Sequence, residues 1–209
     1  MNRDGRNGRH PRQVARPGGI RQRICAEAAR IMAEEGMRDF QTAKRKAAHR
    51  LSHSETRDWP SNGEIDEALR AYLDLFHGHR RIQTLERLRR IALQAMQALA
   101  AYEPRLVGPV LSGTVTAFSP IELHVIADQP EDIALLLQER RIPHDQQERQ
   151  MRFGGDRQRP VPTFSFRADG AVVDICVFSR EAMREPPLSP VDGQPMERAG
   201  LTAVERLVS

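Results

Sequence analysis

The sequence predicts an α+β protein, with an N-terminal helical region followed by a small mixed sheet and flanking helices. Three observations carry this. From residue 20 to about 103 the apolar residues recur every three or four positions, the period of a helix face. After Glu103-Pro104 the period falls toward two, the alternation of a half-buried strand. Asp169-Gly170 then separates two apolar runs, a strong hairpin signal. Of the 209 residues, 39% are hydrophobic, enough for a core and too many for wholesale disorder.

The elements follow in order. Residues 1–19 are rich in Gly, Pro, Arg and Asn without periodicity and are expected to form a disordered basic arm. Ile20, Ile24, Ala28 and Ile31 mark a first helix, with Gly36 placed to end it in the left-handed conformation. A second helix is expected from Asp39 to Leu51, with Phe40, Ala43, Ala47 and Leu51 on one face and Lys44, Arg45, Lys46, His49 and Arg50 on the other. Ser61 and Glu64 form a capping box that opens a third helix through Ile65, Leu69, Tyr72, Leu73 and Phe76. Gly78 is expected to close it, with His77 and His79 in a loop, before a fourth helix carries Ile82, Leu85, Leu88, Ala92, Met96 and Leu99.

Beyond residue 103, Arg105 to Leu111 reads as a short strand entering a Gly/Ser/Thr turn, and Ile121 to Ala127 as a second strand. Asp128-Gln129-Pro130 starts a helix through Ile133, Leu136 and Leu137 that ends before Pro143. Asp145 to Phe153 is a weakly patterned strand, Gly154-Gly155 a turn, and Thr163 to Arg167 with Ala171 to Phe178 the hairpin. A Pro-rich tail ends in a short amphipathic helix from Leu201 to Val208. The domain reading is therefore an arm over 1–19, a helical region over 20–103 and an α/β unit over 104–209.

Charge is unevenly spread. Residues 1–57 carry 14 Lys and Arg against 6 Asp and Glu, and the remainder 18 against 22. A basic end suggests a polyanion partner, RNA or DNA, held by phosphate attraction, with Lys44, Arg45, Lys46 and Arg50 as the helical part of the patch. No apolar run approaches the roughly 20 residues of a membrane helix, and Met1 to Pro17 lacks the apolar stretch of a secretory signal. Cys25 and Cys176 lie far apart without CxxC or Cys/His spacing, which argues against a disulfide framework or zinc finger and fits a reducing cytoplasm. There is no GxxxxGK[ST] phosphate loop and no GxSxG elbow.

The stretch Gly108 to Asp128, GPVLSGTVTAFSPIELHVIAD, resembles the signature of the DNA polymerase β-like nucleotidyltransferase superfamily in its minimal bacterial members. Gly108 falls at the first glycine, Gly113-Thr114 at the second, and Ser119, Ile121, Glu122 and Leu123 fall in register on the strand. Asp174 in AVVDICVF matches the third carboxylate more loosely. The resemblance implies a nucleotidyltransferase-like sheet. It further implies NMP transfer from a nucleoside triphosphate to a hydroxyl acceptor, with Mg²⁺ or Mn²⁺ held by Glu122 and Asp174 and phosphates cradled by Gly108, Gly113, Thr114 and Ser119.

The chemistry explains the residue types. A divalent ion neutralises phosphate oxygens and takes oxygen ligands, so carboxylates must stand at fixed separation. Residues two apart on a strand share a face, so His124 joins Glu122, opposite Asp174 and Cys176. A softer ion than Mg²⁺ would accept Glu122, His124 and Asp174 together. The chain departs from the family pattern at Pro109, where the phosphate-binding serine belongs, and at Pro120, where the first aspartate belongs. Proline supplies neither carboxylate, hydroxyl nor N–H. Those departures leave a second expectation, an inactive module that binds nucleotide or nucleic acid. A third is a helical interaction protein.

Overall fold

The computed structural model describes residues 17–209. The expected arm lies outside the described residues except at its end, where Pro17 begins the first helix. Helix α1 (Pro17–Glu35) stops at Gly36, whose φ of +69° is the left-handed turn anticipated there. Asp39 caps α2 (Phe40–Arg50), its carboxylate accepting from the Thr42 N–H at 2.7 Å. The Ser61/Glu64 capping box is complete at the start of α3 (Asn62–Ala98).

Helix α3 is one rod of 37 residues, which corrects the reading of Gly78 as its end. Glycine inside a helix costs only about 1 kcal/mol relative to alanine. Each fully buried Leu or Ile contributes roughly 1.5–3 kcal/mol. On one side of Gly78, Ile65, Leu69 and Leu73 are buried against α1 and α2; on the other, Leu88, Ile91 and Met96 are buried against the sheet. Both halves are held independently, so a single glycine between them does not break the rod. The C-terminal half of the rod belongs to the core of the sheet and its N-terminal half to a separate core with α1 and α2, so the division between cores falls within α3.

The strands are β1 (Arg105–Val107), β2 (Ile121–Ile126), β3 (His144–Phe153), β4 (Arg157–Ala168) and β5 (Ala171–Phe178), in the order β1-β2-β5-β4-β3. Strand β1 is shorter than the expected Arg105 to Leu111. Gly108, at φ +69°, turns the chain, and Pro109 occupies the first turn of α4 (Gly108–Ser112), where a missing N–H is no loss. Helix α5 (Glu131–Glu139) and the β3–β4 ribbon form the crossover that brings β5 parallel to β2, and α6 (Leu201–Val208) closes the chain.

The sheet has two unlike faces. Ile121, Leu123, Val125, Val173 and Ile175 pack with Leu88, Ile91 and Met96 of α3, Ile133 and Leu137 of α5, and Val204 of α6. The opposite face carries Glu122, His124, Asp174 and Cys176. Over this face the β3–β4 ribbon runs past the end of its pairing with β5 and brings Met151, Phe153 and Val161 against Cys176 and Phe178.

Candidate functional site

The polar face begins with strand register. Strands β2 and β5 are parallel, and Glu122 is the registered partner of Asp174, with His124 the partner of Cys176. Two carboxylates therefore stand on neighbouring central strands, both nearly closed to solvent. Asp174 is oriented by Ser165 of β4, whose hydroxyl donates to Oδ1 at 2.7 Å. Glu122 lies against Gly108, where a methyl group would be 3.2 Å from Oε2, close enough that the carboxylate would have to shift by a few tenths of an ångström.

Each carboxylate faces an arginine from another part of the chain. Arg38, in the turn between α1 and α2, reaches Asp174 Oδ2 at 3.4 Å. Arg149 of β3 reaches Glu122 Oε1 at 3.5 Å. Burial works against the charge of Arg149, but Glu122, Cys176 and Asp174 outweigh it and raise its pKa.

Arg38, Arg149 and Glu122 border a cleft of about 680 Å³ between the helical region and the sheet, onto which Asp39, Asp66, Arg70, Gly108, Arg152, Asp192 and Glu197 also open; Asp174 does not line it. A Pro-rich strap bounds it. Leu188 donates its N–H to Arg152 O at 2.7 Å, and Asn62 at the start of α3 donates to Pro190 O at 2.5 Å. Arg70 is held by Asp66 at 2.8 Å.

The residues expected from the sequence separate here. Glu122, Gly108 and Asp174 come together. Gly113, Thr114 and Ser119 do not border the cleft. Gly113 ends α4 against α3, its carbonyl accepting from Arg81 at 3.0 Å, and Ser119 accepts from the Thr116 N–H at 2.9 Å in a local turn. Thr114 is buried with its hydroxyl unpartnered. The five-residue turn of α4 intervenes after Gly108, so the two glycine positions face different neighbours.

His124 is on the expected face but fully buried, one row further along the strand than Glu122, with its ring 4.7 Å from that of Phe178. Neither ring nitrogen has a partner. Burial, with Arg198 and Arg149 nearby, lowers its pKa to about 3. Burial likewise pushes the Cys176 thiol up to about 11. Among the described residues no group of three His, Cys, Asp or Glu side chains is arranged to hold a metal ion. The expected Glu122–His124–Asp174 ligand set is corrected accordingly: Glu122 and Asp174 are adjacent, and His124 packs in the apolar row behind them. Oxygen ligands suit Mg²⁺ or Mn²⁺, and the two carboxylates are the part of the site that fits such an ion.

The basic patch on α2 is also altered by packing. Lys44 is buried in the helical core, and desolvation lowers its pKa. Lys46 pairs with Glu35 at 2.5 Å, and Arg50 with Glu35 at 2.6 Å and Glu27 at 3.2 Å. Arg45 remains exposed. The four positions therefore do not form a continuous cationic face: Lys44 is buried, and α1 sets its acids beside Lys46 and Arg50.

Arg38, Arg70, Arg149 and Arg152 carry no sequence signal that marks them for this cleft. Each is an ordinary polar residue in its own element, and only folding gathers them. Comparison with known protein families, with curated proteins and with solved structures finds no match. Among the described residues no helix is long and apolar enough to cross a membrane.

Proposed function

We propose that the chain is a nucleotidyltransferase-like protein that binds a nucleoside triphosphate in the cleft bordered by Gly108, Glu122 and Arg149. The observation that carries this is the parallel register that sets Glu122, which lines a cleft bordered by four arginines, beside Asp174. Glu122 and Asp174 would hold a divalent ion, which neutralises phosphate charge when bound. In transfer, the acceptor hydroxyl oxygen bonds to the α-phosphorus and the bond to the β-bridging oxygen breaks. Pyrophosphate leaves with that electron pair, and the hydroxyl proton passes to water.

A second reading, nucleotide binding without turnover, is favoured by two observations. Pro109 and Pro120 stand where the family places a hydroxyl and a carboxylate. In addition, both remaining carboxylates face arginines. The two readings share the ligand and differ in the product. Thermal unfolding with ATP, GTP, CTP and UTP, with and without Mg²⁺ or Mn²⁺, tests the ligand. Nucleotide at ten times its Kd should raise stability by about 1.4 kcal/mol, and Glu122→Ala should remove the metal-dependent part. No shift with any nucleotide would sink both readings, and pyrophosphate release would separate them.

A further inference from the structure

We infer that Arg38 and Arg149 are the phosphate-binding residues of this cleft, and that Asp174 and Glu122 hold them in place until an anion takes them over. The inference rests on the nucleotide reading and names the side chains that would serve it. It begins from the separation of the glycines: with Gly113, Thr114 and Ser119 turned elsewhere, the expected phosphate cradle is reduced to Gly108, and Pro109 beside it has no N–H to offer. A polyanion entering the cleft must therefore be held by side chains, and the cations that border it are all arginines. Arginine grips phosphate through paired N–H groups, so this choice of residue suits the ligand.

Distances divide the arginines into two kinds. A charge-assisted N–H···O bond is ordinarily about 2.7–2.9 Å long. Arg70 meets that standard with Asp66 at 2.8 Å and is engaged. Arg38 and Arg149 stand 3.4 and 3.5 Å from their carboxylates, long contacts that a better acceptor can replace. Their exposure points the same way: the Arg38 side chain is 52% exposed and that of Arg149 41%, against 7% and 10% for the carboxylates. Both arginines line the cleft and are more exposed than the carboxylates they face.

The exchange leaves two buried carboxylates without their counter-charges, which is why removing those charges should favour anion binding. Two arginines balance two carboxylates before binding, and they turn to phosphate oxygens afterwards, leaving the carboxylates available to a cation. It also joins three parts of the fold, because Arg38 belongs to the helical region, Arg149 to the ribbon and the carboxylates to the central strands.

The test is isothermal titration of the full chain with sodium tripolyphosphate and with ATP, both without divalent metal. Arg38→Ala and Arg149→Ala should each weaken binding at least about tenfold, and Arg23→Ala, exposed on α1 and away from the cleft, should leave it within about twofold. The decisive arm has the opposite sign. Glu122→Gln and Asp174→Asn, which keep shape and remove charge, should tighten metal-free tripolyphosphate binding by freeing the arginines. Melting curves of all variants check folding. Unchanged affinity in both arginine variants, or no tightening in either carboxylate variant, would overturn the exchange. If the Glu122-dependent nucleotide shift survives that result, the nucleotide site stands without it; if wild type binds neither ligand, both fall.

Discussion

Gly108 and Glu122 are fitted to each other across β1 and β2: a methyl group on Gly108 would come within 3.2 Å of Glu122 Oε2 and 3.4 Å of its Cδ. The same glycine sits at φ +69°, where other residues are strained. One backbone position thus turns the chain out of β1 and sets the place of a carboxylate in the cleft.

Gly108→Ala should therefore be harmful in two ways. The left-handed backbone alone costs about 1–2 kcal/mol, a fall in Tm of roughly 2–8 °C at this chain length. Displacement of Glu122 should also weaken any metal-dependent nucleotide shift. A variant with unchanged Tm would show that this turn can relax.

Gly78 should behave in the opposite way. It lies within α3, and nothing is within 4 Å of where its Cβ would be. Gly78→Ala is expected to stabilise by about 0.5–1 kcal/mol, since alanine loses less backbone freedom on folding. Differential scanning calorimetry should show a Tm higher by roughly 1–4 °C. A lower Tm would mean that α3 bends at this point.

The capping box makes a pH-dependent contribution. Hydrogen bonds from Arg21, then from the Ser61 backbone and side chain, lower the Glu64 pKa from 4.5 to about 2. A depressed carboxylate stabilises the fold above its unfolded pKa, and that stability is lost as pH falls from about 4.5 toward 2. Glu64→Gln should flatten the stability curve in that window and leave its shape near neutrality unchanged. Ser61→Ala should lower stability by about 1 kcal/mol at neutral pH. Parallel acid-unfolding curves for the two variants and wild type check both expectations.

His124 gives the reverse prediction for a buried base. Its folded pKa of about 3 lies below the ordinary 6.5, so the folded state resists protonation. The stability it allows is complete above pH 6.5 and declines as pH falls toward 3. His124→Leu removes two unpartnered buried nitrogens and should be at least as stable as wild type at pH 5, with a flatter curve below 6.5. The Mg²⁺-dependent nucleotide shift should persist in this variant. Loss of that shift with the fold intact would restore His124 as a ligand.

Much of this protein is legible in short-range pattern. The start of α2 near Asp39, the Ser61/Glu64 box, the stop at Gly36 and the alternation of IELHVI depend on neighbours within four residues, and each is found where the sequence places it. Alternation also placed Glu122 and His124 on one face. Two local signals misled for physical reasons. Gly78 is a weak breaker when both flanks are packed, and Pro109 continues the chain into a helical turn instead of a strand.

What only the tertiary structure decided is who stands beside whom. The pairing of Glu122 with Asp174 depends on a crossover that makes β2 and β5 parallel and in register. The approach of Arg38 and Arg149, 136 and 27 residues from their carboxylates in sequence, depends on the α1–α2 turn and the course of the ribbon. The loss of Lys46 and Arg50 from the basic face depends on acids that α1 sets beside α2, and that of Lys44 on its burial in the helical core. Side-chain periodicity is a property of a few adjacent peptide units and can be read along the chain. Charge neutralisation and burial are properties of space, and the residues that produce them here carry no local mark of their role.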